Sequence, residues 1–441
     1  MFNRGHKAAA DQAKAPEPLV AVDIGTSKIR LIEGLVDSEN IVSVSYFDEV
    51  PSAGIVNGTV SDLEKLTEKL SILIHNYEKN TGGQFSRCFV GIAGRHIQSK
   101  NEKGNATVPS HRVTAQDKEN AIAHARSAKF SEYSHLLHVI PQSYDIDGTG
   151  NISNPIDLSA MRLGVDVHLI ACNEDQENNL RAAFEKLSSQ FQIEHVIYNG
   201  VAAADAVLSQ EEKDIGVCLI DFGAGAINVA VYDQSRLVLT FGLDVGGNSV
   251  TRDIATHFGV SLPTAEYLKL NYGVAHPALL PPEVQNEVLS FPNGNQTAMI
   301  PRHDLSTLVG LCLIDIFRTI SDRIERYRQN SGKPLSIGAG YVITGGAACT
   351  SGITILATNK LGAADSIGHV KVKTAVPRGV KGDYEALELA SSATAVGLLR
   401  FGNAINLEQS NRVRNLNANR NSTSVVGRAI SWTRDWLSKE F

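Results

Sequence analysis

The sequence predicts an α/β protein built from two related lobes that face each other across a cleft. Three observations predict it. Residues 19–46 read as strand, Asp-x-Gly turn, strand, strand, and residues 215–241 repeat that order. A further apolar run at 341–344 ends in a third glycine turn, Gly345-Gly346. The chain has 441 residues, enough for two sizeable cores.

Taken in order, the first 17 residues are rich in Ala, Lys, Gln and Pro and carry no apolar signal-peptide region, so a disordered tail is expected. Residues 19–23 (LVAVD) are a short apolar run bounded by turn residues, hence a buried strand. Ile24, Gly25, Thr26 and Ser27 turn the chain, 28–33 resume with alternation, and 41–46 are a third strand. Ser61 opens a helix on which Leu63, Leu66, Leu70, Leu73 and Ile74 recur at helical spacing, with Asp62 and Glu64 at its positive end. Residues 86–167 fit neither repeat and read as an insertion. It holds a helix capped by Thr114 with Asp117 three positions on, then an alternating run at 162–171. In the second unit, 215–220 are a strand ending at Asp221, 222–225 a turn, and 226–232 and 236–241 the returning strands. Residues 245–311 are a second insertion, interrupted by prolines, and a long helix follows at 305–328. The Asn-rich stretch 403–424 has almost no apolar content and is expected to be a flexible linker, spanning about 25 Å on average.

Composition excludes some classes. The net charge of −6 argues against nucleic acid as a partner, and no run approaches 18 apolar residues, so no membrane span is expected. Five cysteines without a CxxC pair read as buried free thiols in a reducing compartment. His135 and His138 are the only close histidine pair; their sequence neighbours offer no cysteine or carboxylate set, so zinc is not expected there.

The glycine turns carry the chemistry. Glycine lets backbone N–H groups approach a phosphate with no Cβ in the way. Asp23 and Asp221, each at a strand end, are placed to hold the water shell of Mg²⁺. Two such hairpins facing across a cleft grip a polyphosphate from both sides, and Gly345-Gly346 lets a purine and ribose lie flat on backbone.

With these motifs the chain resembles the actin, Hsp70 and sugar-kinase ATPase superfamily. Residues 20–28 (VAVDIGTSK) resemble its first phosphate loop, 220–228 (IDFGAGAIN) the second, and 342–348 (VITGGAA) its adenosine motif. Residues 197–208 and 393–402 are similar to its two hinge segments, and Ala265, Glu266 and Lys269 to the short helix that meets adenine and ribose in bacterial actins. Within the superfamily the match narrows to the FtsA family, through residues 138–147, Asn154-Pro155, 167–170 and the ending Ser431-Trp432…Trp436-Leu437…Phe441.

The resemblance implies an actin-like fold of two RNase H-like lobes around an ATP cleft. Subdomain 1A would comprise 18–85, 168–205 and 390–402; 1C, 86–167; 2A, 206–244 and 312–389; 2B, 245–311. It implies ATP with Mg²⁺ as cofactors, held by Asp23, Gly25, Thr26, Ser27, Lys28, Asp221, Gly223, Ala224, Gly225, Glu266, Lys269, Gly345, Gly346 and Ala347. Ala226 and Asn228 depart from the usual Thr and Asp of the second loop, so any turnover is expected to be slow. Asn173, Glu174 and Asp175 are candidates for positioning an attacking water, or for capping the helix that follows.

The implied partners are the FtsZ C-terminal tail on 2B, with Arg302 as its candidate contact; further copies of the chain in actin-like filaments; other divisome proteins; and membrane lipid. On a helical wheel of 425–441, Ile430, Trp432, Trp436, Leu437 and Phe441 share one face and Arg428, Arg434 and Lys439 the other. That face fits an interfacial helix, or one that docks on the protein's own body; the resemblance places it on the cytoplasmic face of the inner membrane at the division site. A PilM-like pilus-assembly protein and a small-molecule kinase of the same superfamily are the alternatives. The first lacks such a Trp-bearing tail; the second needs a catalytic carboxylate that does not stand out here.

Overall fold

The computed structural model describes residues 17–293, 296–332, 334–361 and 370–421. Residues 1–16 of the expected N-terminal tail, and the expected membrane helix at 425–441, lie outside them. The first lobe begins with β1 (Leu19–Ile24), β2 (Lys28–Val36) and β3 (Val42–Pro51), an antiparallel meander. A short hairpin, β4 (Ile55–Val56) and β5 (Thr59–Val60), leads into α1 (Leu63–Thr81). Asp62, rather than Ser61, caps α1, accepting from Lys65 N at 3.1 Å, and Leu66, Leu70, Leu73 and Ile74 are buried as the spacing requires. β6 (Arg87–Ile92) then pairs parallel with β1.

That pairing corrects the expected start of the insertion at 86. Strand content is local, but whether Arg87–Ile92 belongs to the body is decided by its parallel pairing across the α1 crossover. The inserted unit is its own four-stranded sheet, ordered β7-β10-β8-β9. Its elements are β7 (Gln98–Thr107), α2 (Ala115–Arg126), β8 (Ser134–Ile146), β9 (Thr149–Ile152) and β10 (Arg162–Asn173). α2 carries the expected capping box between Thr114 and Asp117. Val113, Ile122, Tyr144, Leu163, Val165 and Val167 make a separate core, while Ile170 and Cys172 at the end of β10 join the core of the first lobe. The insertion therefore ends near residue 173, not 167.

The first lobe resumes with α3 (Glu174–Leu187), β11 (Gln192–Tyr198) and α4 (Asn199–Val207). The second follows with α5 (Gln210–Ile215), β12 (Val217–Phe222), β13 (Ile227–Asp233), β14 (Arg236–Leu243), α6 (Gly247–Phe258), α7 (Leu262–Tyr272), the hairpin β15 (Val288–Asn293) and β16 (Gln296–Pro301), α8 (Arg302–Ser331), β17 (Gly340–Thr344), α9 (Ile353–Leu361) and β18 (Val372–Thr374). β19 (Val380–Lys381) returns to the edge of the first sheet. The sheets run β11-β6-β1-β2-β3-β19 and β14-β13-β12-β17-β18. Each is an antiparallel meander followed by two parallel strands, so the duplication read from the turns extends to topology.

α10 (Ala393–Asn421) crosses α4 so closely that a Cβ on Gly397 would lie 1.8 Å from the Ala202 carbonyl oxygen. α10 also overturns the expected linker: residues 403–421 continue it as helix. Low apolar content argued for disorder, yet the buried turns at 393–402 already supply the costly nucleus, and no Gly or Pro interrupts 403–421. The thiols differ from expectation too. Cys88, Cys172 and Cys218 are buried, but Cys312 is half-buried and Cys349 exposed. Among the described residues no helix is long and apolar enough to cross a membrane.

The insertion docks on the edge strand of the opposite lobe through polar contacts. Ser99 Oγ donates to Thr240 O at 2.7 Å and Asn101 Nδ2 to Val238 O at 2.8 Å. His168, fully buried, lies 2.7 Å from Asn101 Oδ1 through Nδ1 and 3.0 Å from Thr240 Oγ1 through Nε2. Asn101 Oδ1 only accepts, so Nδ1 carries the proton and Nε2 accepts from the hydroxyl. Burial pushes His168 down to about 3, with the neighbouring His138 charge adding to the fall; His138 is likewise pushed down to about 3 by burial. Both rings stay neutral in the fold while the unfolded chain takes up protons below its ordinary value of 6.5. Stability is therefore lost as pH falls through that value, by about 2 kcal/mol per ring between pH 8 and pH 5. Thermal melts across this range should show the loss, and His168→Asn should remove about half of its pH dependence. An unchanged pH slope in the variant would assign the loss to other groups.

Candidate functional site

The two Asp-x-Gly turns are built alike. Gly25 N donates to Lys28 O at 3.1 Å, and Gly223 N to Ala226 O at 3.0 Å. A Cβ on Gly25 would sit 2.8 Å from the Lys28 oxygen, and one on Gly223 would sit 2.7 Å from that of Ala226. The turn tips meet: a Cβ on Gly225 would lie 2.5 Å from Thr26 Oγ1, which itself accepts from Gly58 N at 3.1 Å. Asp23 and Asp221 are both buried. Each stands directly across its hairpin from a polar residue, Arg30 opposite Asp23 and Asn228 opposite Asp221. Arg30 reaches Asp23 at 3.3 Å; Asn228 Nδ2 donates to Asp221 at 3.0 Å, and Thr394 Oγ1 lies 3.4 Å from the same oxygen. Burial raises Asp23 despite Arg30. It pushes Asp221 up to about 6, where the Asn228 hydrogen bond opposes the rise and the Asp23 charge adds to it. Among the described residues Asp221 has no cation within salt-bridge distance, and the buried Asn228 Oδ1 has no hydrogen-bond partner.

The second turn is continuous with the start of α6. Gly247 N donates to Gly223 O at 3.1 Å and Asn248 N to Ala224 O at 2.7 Å. α7 brings Glu266 and Lys269 to the same place: Lys269 Nζ reaches Gly247 O at 3.0 Å, Thr251 Oγ1 at 2.8 Å and Glu266 at 2.7 Å. Gly345 follows β17 at φ +88, packed so that a Cβ would meet Phe222 O at 2.6 Å and Asp221 Oδ1 at 2.8 Å. Gly346 differs: among the described residues a Cβ there would meet nothing within 4 Å. The two hairpins thus meet at their tips beside two buried carboxylates, Gly345 packs on one of them, and α7 is tied to the start of α6, which continues the second turn.

Not every expected residue points there. The Lys28 side chain turns outward onto Glu49, leaving only its carbonyl in the turn. Ser27 is exposed and its carbonyl accepts from Ser52 N at 2.9 Å. Asn173 caps α3, accepting from Gln176 N at 3.2 Å, and Glu174 follows in its first turn, so the capping alternative is the one the geometry realises. Arg302 is engaged at home, 2.6 Å from Glu287 and 5.4 Å over the Tyr272 ring. Sequence reasoning missed Arg30 and Thr394. For Arg30 a signal existed, since Asp23–Arg30 and Asp221–Asn228 have the same separation. Thr394 comes from the remote α10 and left none.

This fold, with its paired turns, defines a class, the two-lobed actin-like proteins. The solved structure of the PilM-PilN type IV pilus biogenesis complex aligns with a TM-score of 0.60 at 16% identity, over 87% of this chain and 98% of that one. That of MreB5 of Spiroplasma citri bound to ADP aligns at 0.50 and 13%, over 89% and 98%. A family model described as "SHS2 domain inserted in FTSA" matches residues 94–171, and one described as "Cell division protein FtsA" matches 218–397. The cell division protein FtsA of Escherichia coli (strain K12) is 31% identical over 96% of this chain and 98% of its own length. That of Pseudomonas aeruginosa (strain PAO1) is 28% identical over 87% and 89%. The chain belongs to the FtsA family of actin-like cell division proteins.

Proposed function

We propose that the chain binds ATP with Mg²⁺ in this cleft, self-associates, and tethers FtsZ filaments to the cytoplasmic face of the inner membrane at the division site. The observation that carries the nucleotide reading is the facing pair Asp23 and Asp221, buried together below two glycine turns, with Asp221 short of positive charge. A hydrated divalent cation supplies that charge, and the triphosphate would lie along the backbone of 24–26 and 223–225. Glu266 and Lys269 would face the ribose, and Gly346 and Ala347 the adenine. Asp23 already has Arg30, so Asp221 would hold the larger share of the cation's water shell. Ala226 lacks a hydroxyl and Asn228 lacks a charge, which supports binding with slow turnover. Calorimetric titration with ATP, with and without Mg²⁺, tests the reading: Mg²⁺ should tighten binding, and Asp221→Asn should remove that gain. Equal affinity with and without the ion would overturn it.

The FtsZ tail is assigned to the subdomain at 245–311. An acidic peptide reaching Arg302 there would have to displace Glu287. The inserted sheet is the proposed contact for self-association, because none of the cleft residues lies in it. Its ends make this testable. Gln98 pairs with Ala171, so excising the residues between them leaves two cut ends side by side for a short turn to join. The shortened protein should bind ATP with unchanged affinity and fail to form filaments on lipid by electron microscopy. Filaments that persist would place polymerisation elsewhere. Family membership in FtsA favours this reading over a pilus-assembly role, since likeness to the PilM-PilN complex is one of fold.

A further inference from the structure

His135 finds in three dimensions the partners its sequence neighbours lack. It stands directly opposite Cys172 in the β8–β10 ladder, where β10 leaves the insertion for the body. Glu177, one turn into α3, closes the group: one donor atom each from His135, Cys172 and Glu177 lies within 4.8 Å of the others. Cys172 Sγ is 3.8 Å from Glu177 Oε2, and His135 Nδ1 is hydrogen-bonded to the same oxygen. A tetrahedral zinc ion bridging a thiolate and a carboxylate separates those atoms by roughly 3.5 Å. The other carboxylate oxygen is fixed independently: Arg181 donates to Glu177 Oε1 through Nε at 2.9 Å and through its second terminal nitrogen at 2.7 Å, and anchors itself on Ile193 O at 3.1 Å. This is the outer-shell support that ligating carboxylates need.

We propose that His135 Nδ1, Cys172 Sγ and Glu177 Oε2 form a binding site for a zinc-type divalent ion at the root of the inserted domain. Thiolate, imidazole and carboxylate suit Zn²⁺ better than Mg²⁺ or Ca²⁺, and the two anionic donors balance the ion's charge. Cys172 and Glu177 are buried while the His135 side chain is 46% exposed, so the ion reaches the site from the His135 side and a water completes its shell there. In the metal-free protein a proton takes the ion's place between His135 and Glu177. On binding, the Nδ1 proton leaves the ligating nitrogen, passing to Nε2 from a neutral ring or to solvent from a charged one, the thiol proton of Cys172 goes to solvent, and three metal–ligand bonds form. The ion ties β8, β10 and α3 together where the insertion joins the first lobe.

The full chain, stripped with chelator and free of nucleotide, is titrated with Co²⁺ and with Zn²⁺. Co²⁺ should give a thiolate charge-transfer absorption that vanishes in Cys172→Ser and persists in Cys312→Ser, Cys349→Ser and Asp221→Asn. Zn²⁺ should raise the melting temperature and bind at least tenfold more weakly to His135→Ala, a half-exposed change that leaves the core intact. No thiolate band in the parent overturns the proposal, as does a band that survives Cys172→Ser. If Cys172→Ser does not fold, His135→Ala decides, and undiminished Zn²⁺ affinity in it overturns the site.

Discussion

Gly345→Asp abolishes ATP binding, with a loss of about a thousandfold in affinity. The position borders Asp221 Oδ1 at 2.8 Å, so a second carboxylate enters beside one that burial already holds near its limit. It also meets the negative triphosphate proposed for the cleft. Each like-charge contact at 4 Å costs about 4 kcal/mol in a medium of effective dielectric about 20, about a thousandfold in binding. The variant is strained as well, since Gly345 has φ +88 and its Cβ would lie 2.6 Å from Phe222 O. Gly346→Ala separates strain from occupancy. Among the described residues its Cβ would meet no atom within 4 Å, so the melting temperature should hold while ATP binding weakens, the methyl filling the shelf on which the base would lie. Fluorescence titration with a nucleotide analogue and a thermal melt read both variants. ATP binding at parental strength in both would show that Gly345-Gly346 is no part of the nucleotide site.

Trp436→Glu releases the protein from lipid vesicles, with partitioning lowered about a hundredfold. On the proposed tether, the apolar face of a helix at 425–441 would gain its burial at the bilayer, since an isolated helix of this length is marginal in water. A large apolar side chain contributes roughly 1.5–3 kcal/mol on burial, and a carboxylate in its place adds a desolvation cost. Arg434→Ala, on the polar face, should change partitioning far less. Co-sedimentation with vesicles measures both, with a melt of each variant as control. A Trp436→Glu protein that melts much earlier yet still sediments with lipid would place this helix on its own body and end the tether reading.

The sequence disclosed the parts of the site whose signals are local. A strand, an aspartate and a glycine turn lie within ten residues, and their repetition revealed both lobes before any contact was known. Arg30 and Asn228 were half-legible, because a hairpin converts fixed separation into cross-strand opposition. Thr394 and the Cys172–Glu177 pair were not, because each meets its partner only through the topology. The helix at 403–421 was misread for another reason. Burial makes most helices visible as a periodic stripe, and this stretch extends a helix already nucleated in the core, so it needs no stripe. Arg87–Ile92 was placed inside the insertion because its membership of the first sheet is set only by parallel pairing with β1 and β11, across the α1 crossover.

The helical continuation of α10 changes what the body does mechanically. From Gly402 to Asn421 it spans about 28 Å at 1.5 Å per residue, close to the average reach of the coil it replaces. The distance is similar but the freedom is not. A coil of that reach lets the mass at its end swivel over a hemisphere, whereas a helix rooted in the core holds one bearing. On the proposed tether the helix to Asn421 would stand as a mast, its bearing relative to the two lobes set when the chain folds. Copies mounted side by side on one surface would present matching flanks from the outset. Alignment, a substantial entropic cost when freely turning bodies pack into a row, would be met once within each molecule and not again at each step of assembly.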